Sequence, residues 1–405
     1  MVFFGLAYFA QGVAGGLAKQ PLTYYCKSLG MTADAVAAFF ALAAVPWMLK
    51  PLYGLVTDFV PLWGYRRKSH LILMAGLGAM GFLWMSWCSS TNLLAPALLI
   101  ATLGIAAIDV VVDALMVERG LTLGLIRQFQ GQQWTWLNLA AVTTALIGGW
   151  LSHDLEPSEA VQTAALLMAG APAIVIFAAW RLVDEPKIAP QSTRIRSTAS
   201  DLVAAWRSKT LWTVAGFLAF WNLIPNFGTP LYYHMSDRLH FDQYFIGELI
   251  SVGSFGAILG AMAYRRYGAA QFTTRQWLTL SIACNAAMAL AYLCLRDPQS
   301  AVLLHLAGGI VSMIGLLTLF SLAASVCPPQ AAGCTFAALM AVYSAAAQVS
   351  AIMGGHLYET VFHREIGPLI CLAAVCTLAA LAWVPFLPFE DVSPRALTNK
   401  RCCVA

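Results

Sequence analysis

The chain has 405 residues, of which 60% are hydrophobic and 10% charged, with a formal net charge of +4. A soluble domain carries about 25% charged residues, so this composition excludes a soluble enzyme, a nucleic-acid binder and a disordered chain. The ten cysteines lie mostly in apolar runs without metal-ligand spacing. They read as core thiols, and neither a metal nor a cofactor is expected.

Apolar runs divided by charged or Pro/Gly-rich breaks predict helices at 2–27, 33–57, 69–89, 93–117, 128–152, 161–183, 210–235, 242–265, 276–295, 300–326, 332–358 and 366–388. Each is close to the roughly 20 apolar residues that cross a bilayer. The first has no basic leader and runs on as a helix, so no cleaved signal peptide is expected. The predicted fold is an all-α membrane protein of twelve transmembrane helices, or eleven if the polar first span is re-entrant. With the N-terminus placed inside, seventeen of the 23 Lys and Arg residues (at 66–68, 119–127, 181–209, 265–275 and 395–401) fall on the inner side. Lys27, Arg238, Arg296 and Arg364 fall outside, and Lys19 and Lys50 fall within helices. The positive-inside rule then puts both termini in the cytoplasm.

The longest polar stretch, 184–209, reads as a cytoplasmic linker between six-helix halves at 1–183 and 210–388, with a cytoplasmic tail at 389–405. The halves repeat weakly. Pro21-Leu22-Thr23-Tyr24-Tyr25 ends the first helix and Pro230-Leu231-Tyr232-Tyr233 ends the seventh, at an offset near 209. Glu118-Arg119-Gly120 and Pro328-Pro329-Gln330 end the fourth and tenth at a similar offset. Parallel six-helix repeats around a central cavity are a transporter architecture.

Three segments carry a family resemblance. The first is Pro46-Trp47-Met48-Leu49-Lys50-Pro51-Leu52-Tyr53-Gly54, continuing through Asp58, Pro61, Gly64, Tyr65, Arg66 and Arg67. The second is Asp109-Val110-Val111-Val112-Asp113-Ala114 with Glu118-Arg119. The third runs from Asn226 to Tyr233 and on to Phe245-Ile246-Gly247. Together they resemble the folate–biopterin transporter family of the major facilitator superfamily. One departure is Ser69-His70, where that family's pattern leads one to expect Pro-Tyr. The resemblance implies two six-helix halves of the major facilitator type and proton-coupled secondary transport of pterins or folates. It implies no enzymatic activity.

A charge in hydrocarbon costs at least about 2.5–3.5 kcal/mol, so each intramembrane charge is a functional candidate. Asp109 and Asp113, four residues apart, share one helix face. Two carboxyls so close do not both stay ionised in a dry site, so the pair is suited to loading and releasing a proton. Lys50 lies at a similar depth, and a Lys50–Asp113 pair is sterically open. Proton coupling is therefore assigned to Asp109, Asp113 and Lys50. Lys19 follows Gly12, Gly15 and Gly16 and precedes Gln20 and Pro21, while the seventh helix carries a matching break with Asn222, Pro225, Asn226, Gly228 and Pro230. Breaks at corresponding positions of two halves point to a transport site. Lys19 can receive an anionic group there or simply extend to the outer surface.

Gln130, Trp134 and Asn138 share a face of the fifth helix, beside Gln133. Trp134 is suited to stack on a flat ring whose edge Asn138 or Asp109 meets; interhelical packing is the plainer role. The candidate substrate site is Lys19, Gln20, Asp109, Trp134, Asn138, Asn222, Asn226 and Tyr232, with His305 and Gln348 as secondary candidates. Asp58, Arg66, Arg67, Glu118 and Arg119 are expected to gate the cytoplasmic face. The expected partners are a small organic anion, protons and membrane lipids, for a monomer in a bacterial inner membrane. Two alternatives stand beside this one: another amphipathic anion, such as a muropeptide or a nucleotide-linked metabolite, or a non-transporting assembly factor of the same fold. A membrane-embedded enzyme would need a second carboxylate cluster facing the first, and the sequence offers none.

Overall fold

The structure is a computed structural model and describes residues 2–88, 90–123, 126–187, 207–267, 273–327 and 332–389. In lipid every backbone N–H and C=O must be bonded internally, and helices achieve this within one segment. The helices are α1 (Val2–Gly16), α2 (Lys19–Ser28), α3 (Ala33–Ala43), α4 (Val45–Met48), α5 (Lys50–Phe59), α6 (Lys68–Ser86), α7 (Thr91–Leu123), α8 (Ile126–Asp154) and α9 (Pro157–Leu182). They continue with α10 (Lys209–Asn222), α11 (Gly228–Asp237), α12 (Gln243–Tyr267), α13 (Thr274–Ala291), α14 (Pro298–Ser325), α15 (Ala332–His356) and α16 (Ile366–Ala379). Among the described residues no strand forms. A lone bridge joins Leu62 to Tyr65 across a turn whose central residues, Trp63 and Gly64, have φ of 53° and 82°. Glycine removes the steric cost at one of those two positions. Eight helices among the described residues are long and apolar enough to cross a membrane.

Proline explains where helices break. Pro21 offers no N–H to the Leu17 carbonyl, and the chain kinks between α1 and α2. The stretch 33–57, expected as one helix, is three: Pro46 and Pro51 interrupt it at Ala44 and Leu49. Pro225 separates α10 from α11, where Asn226 Oδ1 accepts from the Gly228 N–H at 2.7 Å, just before the first turn of the new helix. Asp297 caps α14 with Pro298 at the first helical position. Its hydrogen bonds from Ser300 hold the carboxyl below the usual carboxylate range. Elsewhere a helix outruns its expected end. Glu118-Arg119-Gly120 does not stop α7, which continues to Leu123 rather than ending at 117, so Asp113 lies ten residues, about 15 Å, from that helix end.

Small residues bring helices into backbone contact, as is usual in membranes. A Cβ on Gly247 of α12 would stand 2.6 Å from the Gly149 Cα of α8, and one on Gly355 of α15 would stand 2.7 Å from the Asp34 Cα of α3. The apolar core reflects these contacts. One cluster runs through residues 3–183 and takes in Leu231, Tyr233, Ile246, Leu249, Tyr358 and Leu369. A second, built from Leu211, Phe217, Leu278, Leu319, Leu339 and Val384, stands apart from it. The residues of the first cluster that come from beyond 209 lie near Lys27. Those of the second lie at the opposite ends of the same helices, on the side of Arg66. The two helix groups thus share a core at the Lys27 end and keep separate cores towards the Arg66 end, where the gap between them is spanned by contacts of α15 with α4 and α5.

Candidate functional site

Two carboxylates on α7 form the centre of the gap wall. Asp109 is 4% exposed, and its Oδ2 pairs with Lys50 Nζ at 2.5 Å. Its Oδ1 accepts a hydrogen bond from Gln11 Nε2 of α1. Asp113 Oδ1 accepts from the Tyr8 hydroxyl at 2.8 Å and from Gln133 Nε2 of α8 at 3.2 Å. Lys50 Nζ also lies 4.6 Å from the Trp47 ring centroid. Helical spacing explains the match: Tyr8 and Gln11 are one turn apart, and so are Asp113 and Asp109. Residue 8 meets 113 while 11 meets 109, so α1 and α7 run antiparallel. The spacing allows Lys50 to meet Asp113, but the structure pairs it with Asp109, leaving Asp113 to Tyr8 and Gln133.

Lys19 opens α2. Its side chain is exposed, although it lies in a membrane-crossing segment. No described residue gives its ammonium a hydrogen bond or an ion pair. Gln20 and Tyr232 close the gap beside it. Gln20 Nε2 donates to the Gln243 carbonyl at 2.6 Å, and the Tyr232 hydroxyl donates to Gln243 Oε1 at 2.8 Å. Trp134 lies towards the Arg66 end, its ring 6.0 Å from Phe320 of α14, which lies 5.7 Å from Tyr343 of α15. Trp134 therefore meets the other helix group across the gap. Asn138 is buried and gives its amide to the Trp134 carbonyl, as Asn222 does to the Leu218 carbonyl. His305 Nδ1 lies 2.8 Å from the Ala301 carbonyl of its own helix. Gln348 is partly exposed on α15. The Gln130 side chain lies outside the described residues.

At the Arg66 end, Arg66 and Arg67 both pair with Glu118, the latter at 3.0 Å. Buried Arg67 also donates to Thr57 Oγ1 at 2.9 Å. Glu185 accepts the backbone N–H groups of Arg66, Arg67 and Lys68 where α6 begins. Arg119 donates to the Asp184 carbonyl at 2.6 Å. These contacts all join parts of residues 57–185 to one another, and they dock the first residues of the polar stretch onto α6 and α7. The Asp58 side chain lies outside the described residues.

At the Lys27 end the polar links cross between the two groups. Lys27 donates to Ser236 Oγ at 2.6 Å and pairs with Asp237. The Tyr233 hydroxyl donates to the Met31 carbonyl at 2.6 Å. Glu359 accepts from the Ala33 N–H at 2.9 Å and from Arg364 Nε at 2.7 Å. That hydrogen bond raises the guanidinium further above its ordinary pKa. Sequence reasoning missed Tyr8, Gln11, Gln243, Glu185 and these crossing links. The only signal for Tyr8 and Gln11 was that they are polar residues one turn apart in an apolar run.

The model of the BT1 family matches residues 11–393. The chain is similar to the folate-biopterin transporter of Synechocystis sp., at 29% identity over 97% of this chain and 82% of that protein. It is similar to the probable folate-biopterin transporter 4 of Arabidopsis thaliana, at 23% identity over 87% of each. The crystal structure of the nucleoside transporter NupG matches with a TM-score of 0.72 over 96% of this chain and 99% of that one, at 16% identity. The fold is shared with that transporter.

Proposed function

Because the chain belongs to the BT1 family and is an integral membrane transporter rather than an enzyme, we propose that it carries folate- or pterin-type organic anions, driven by proton symport. One observation carries this reading: a gap between two helix groups, closed at one end, with Lys19, Lys50, Asp109 and Asp113 set along it. Ionisable groups inside a membrane fold mark substrate and proton pathways.

We read the fold as twelve spans in two six-helix halves, 1–183 and 210–388. The other four spans are shorter or more polar than the eight long apolar helices, because prolines break three of them and α8 carries Gln130, Gln132, Gln133 and Asn138. The Arg66 end is the cytoplasmic one, which puts both termini inside a bacterial inner membrane. The gap then opens to the cytoplasm, and the chain works as a monomer among lipids. Asp109 and Asp113 exchange the proton, with Lys50 as the alternate partner of an ionised carboxylate. Arg66, Arg67 and Glu118 brace the inner ends of α5, α6 and α7, with Arg119 holding the segment after α9; Asp58 belongs to the same end. Lys19, Asp109 and Trp134 face the substrate. Gln20, Tyr232 and Asn226 shape the closed end of its cavity, and Asn138 and Asn222 set the helices around it.

Uptake of labelled folate and biopterin into proteoliposomes under an imposed proton gradient tests the proposal. Accumulation that collapses with a protonophore is expected. Transport indifferent to the gradient would remove the coupling, and no transport of either compound would remove the substrate assignment.

A further inference from the structure

The gap changes chemistry along its length. Its blind end carries Lys19, next in the chain to Gln20, which bonds Gln243. Its open end carries the rings of Trp134 and Phe320. α8 gives the distance between them. A Cβ on Gly148 would stand 3.1 Å from the Leu17 carbonyl oxygen and 3.9 Å from the Gln20 Cβ, so Lys19 lies level with Gly148. Trp134 is fourteen residues lower on the same unbroken helix, about 21 Å at 1.5 Å per residue. The side chains of Lys19 and Trp134 shorten that span, yet it remains well beyond the size of a pterin ring.

The charges differ as well. Of Lys19 and Lys50, the latter is matched by Asp109. Among the described residues Lys19 has no counter-charge, although it lies between α1 and the rest of α2 in a membrane-crossing segment. An unpaired charge in such a place is costly unless an anion joins it. Among the described residues of the Arg66 end, Glu118 and Glu185 are committed to Arg66, Arg67 and the start of α6.

Resting on the reading that folates or pterins are carried, we infer that the gap holds its ligand lengthwise, with a carboxylate on Lys19 and the ring against the aromatic pair of Trp134 and Phe320. The preferred substrate is then a pterin conjugate whose carboxylates lie far from the ring, and free pterins bind weakly. Pteroate, whose carboxylate sits closer to its ring than those of folate, reaches Lys19 less well. Free glutamate, lacking the ring, does not compete.

The test is equilibrium binding of folate, pteroate and biopterin to the purified full-length protein, with Lys19→Ala, Lys19→Arg and Trp134→Ala variants alongside. The wild type should prefer folate to pteroate and pteroate to biopterin. Loss of a charge-assisted hydrogen bond in Lys19→Ala should weaken folate about ten- to hundred-fold and leave biopterin within about twofold. Lys19→Arg should restore most of the folate affinity, and Trp134→Ala should weaken both ligands. Equal losses for folate and biopterin in Lys19→Ala would overturn the lengthwise site while leaving the transport reading intact. If the Lys19 variants do not fold, the ligand series on the wild type decides: biopterin bound as tightly as folate overturns the inference. If the wild type binds none of the three and transports none, the substrate reading falls and this inference falls with it.

Discussion

Lys50 and Asp109 are a buried ion pair, and such pairs are held more by the cost of separating them than by their attraction. Removing one partner leaves a charge in a poorly solvated place, at about 3–5 kcal/mol, whereas replacing both with apolar groups can be nearly neutral. Lys50→Met alone should therefore lower the melting temperature more than Lys50→Met/Asp109→Leu does; a double variant as unstable as the sum of its parts would argue against mutual compensation. The same geometry gives a functional expectation. Asp109→Asn keeps the shape and can still meet Gln11, but it cannot take up or release a proton. Proton-driven accumulation should vanish while counterflow exchange of folate persists; accumulation at the normal level would assign coupling elsewhere. The charges at 19, 50, 109 and 113 were legible because charge is rare in hydrocarbon. Tyr8 and Gln11, which hold the two carboxylates, were not. Neutral polar side chains are common in membrane helices, and only the antiparallel packing of α1 on α7 selects these two.

At the scale of elements, Glu185 does the work of a cap from outside the helix it serves. Its carboxylate takes three N–H groups at the start of α6, where no side chain of the cap residue itself does so. A carboxylate there also meets the positive end of the helix dipole. Glu185→Ala should cost about 1–2 kcal/mol and loosen the turn at 62–68, seen as faster backbone hydrogen exchange in α6. Exchange unchanged in the first turn of α6 would show that water replaces the cap. Proline punctuation made the breaks at Leu17 and Pro225 readable. It also implied the breaks at Ala44 and Leu49, where apolar continuity outweighed Pro46 and Pro51 in the sequence reading. The extension of α7 to Leu123 was hidden because Glu118 and Arg119 look like a polar helix end. They are instead tied to Arg66, Arg67 and Asp184.

At the scale of the molecule, composition and apolar runs sufficed for a helical membrane protein and the family resemblance for a transporter, but which end is shut depends on long-range contacts that no local pattern encodes. The weak repeat came closest. Lys27 and Ser236, which bond each other, are 209 residues apart, close to the offset between the two Tyr-Tyr segments. The segments that follow the two Tyr-Tyr pairs therefore meet face to face and close the Lys27 end. The Lys27–Asp237 pair is partly exposed, at 22% and 51%, so alone it is worth about 1 kcal/mol or less. That is enough to change a two-state population about fivefold. Lys27→Asp should set two acidic groups against each other, favour the form open at this end, and raise modification of nearby engineered cysteines by a membrane-impermeant maleimide. Restoring the opposite charge from the other side, as Lys27→Asp/Asp237→Lys, should return both labelling and uptake towards wild-type levels. Gly247→Leu supplies a control of different origin. Its side chain cannot fit against Gly149, so it should favour the same open form without any change of charge, and no charge reversal should rescue it. If Lys27→Asp alters uptake with no change in labelling, or if the swapped pair fails to recover it, the ion pair is not part of the closure and the apolar contacts of α8 with α12 hold this end shut alone.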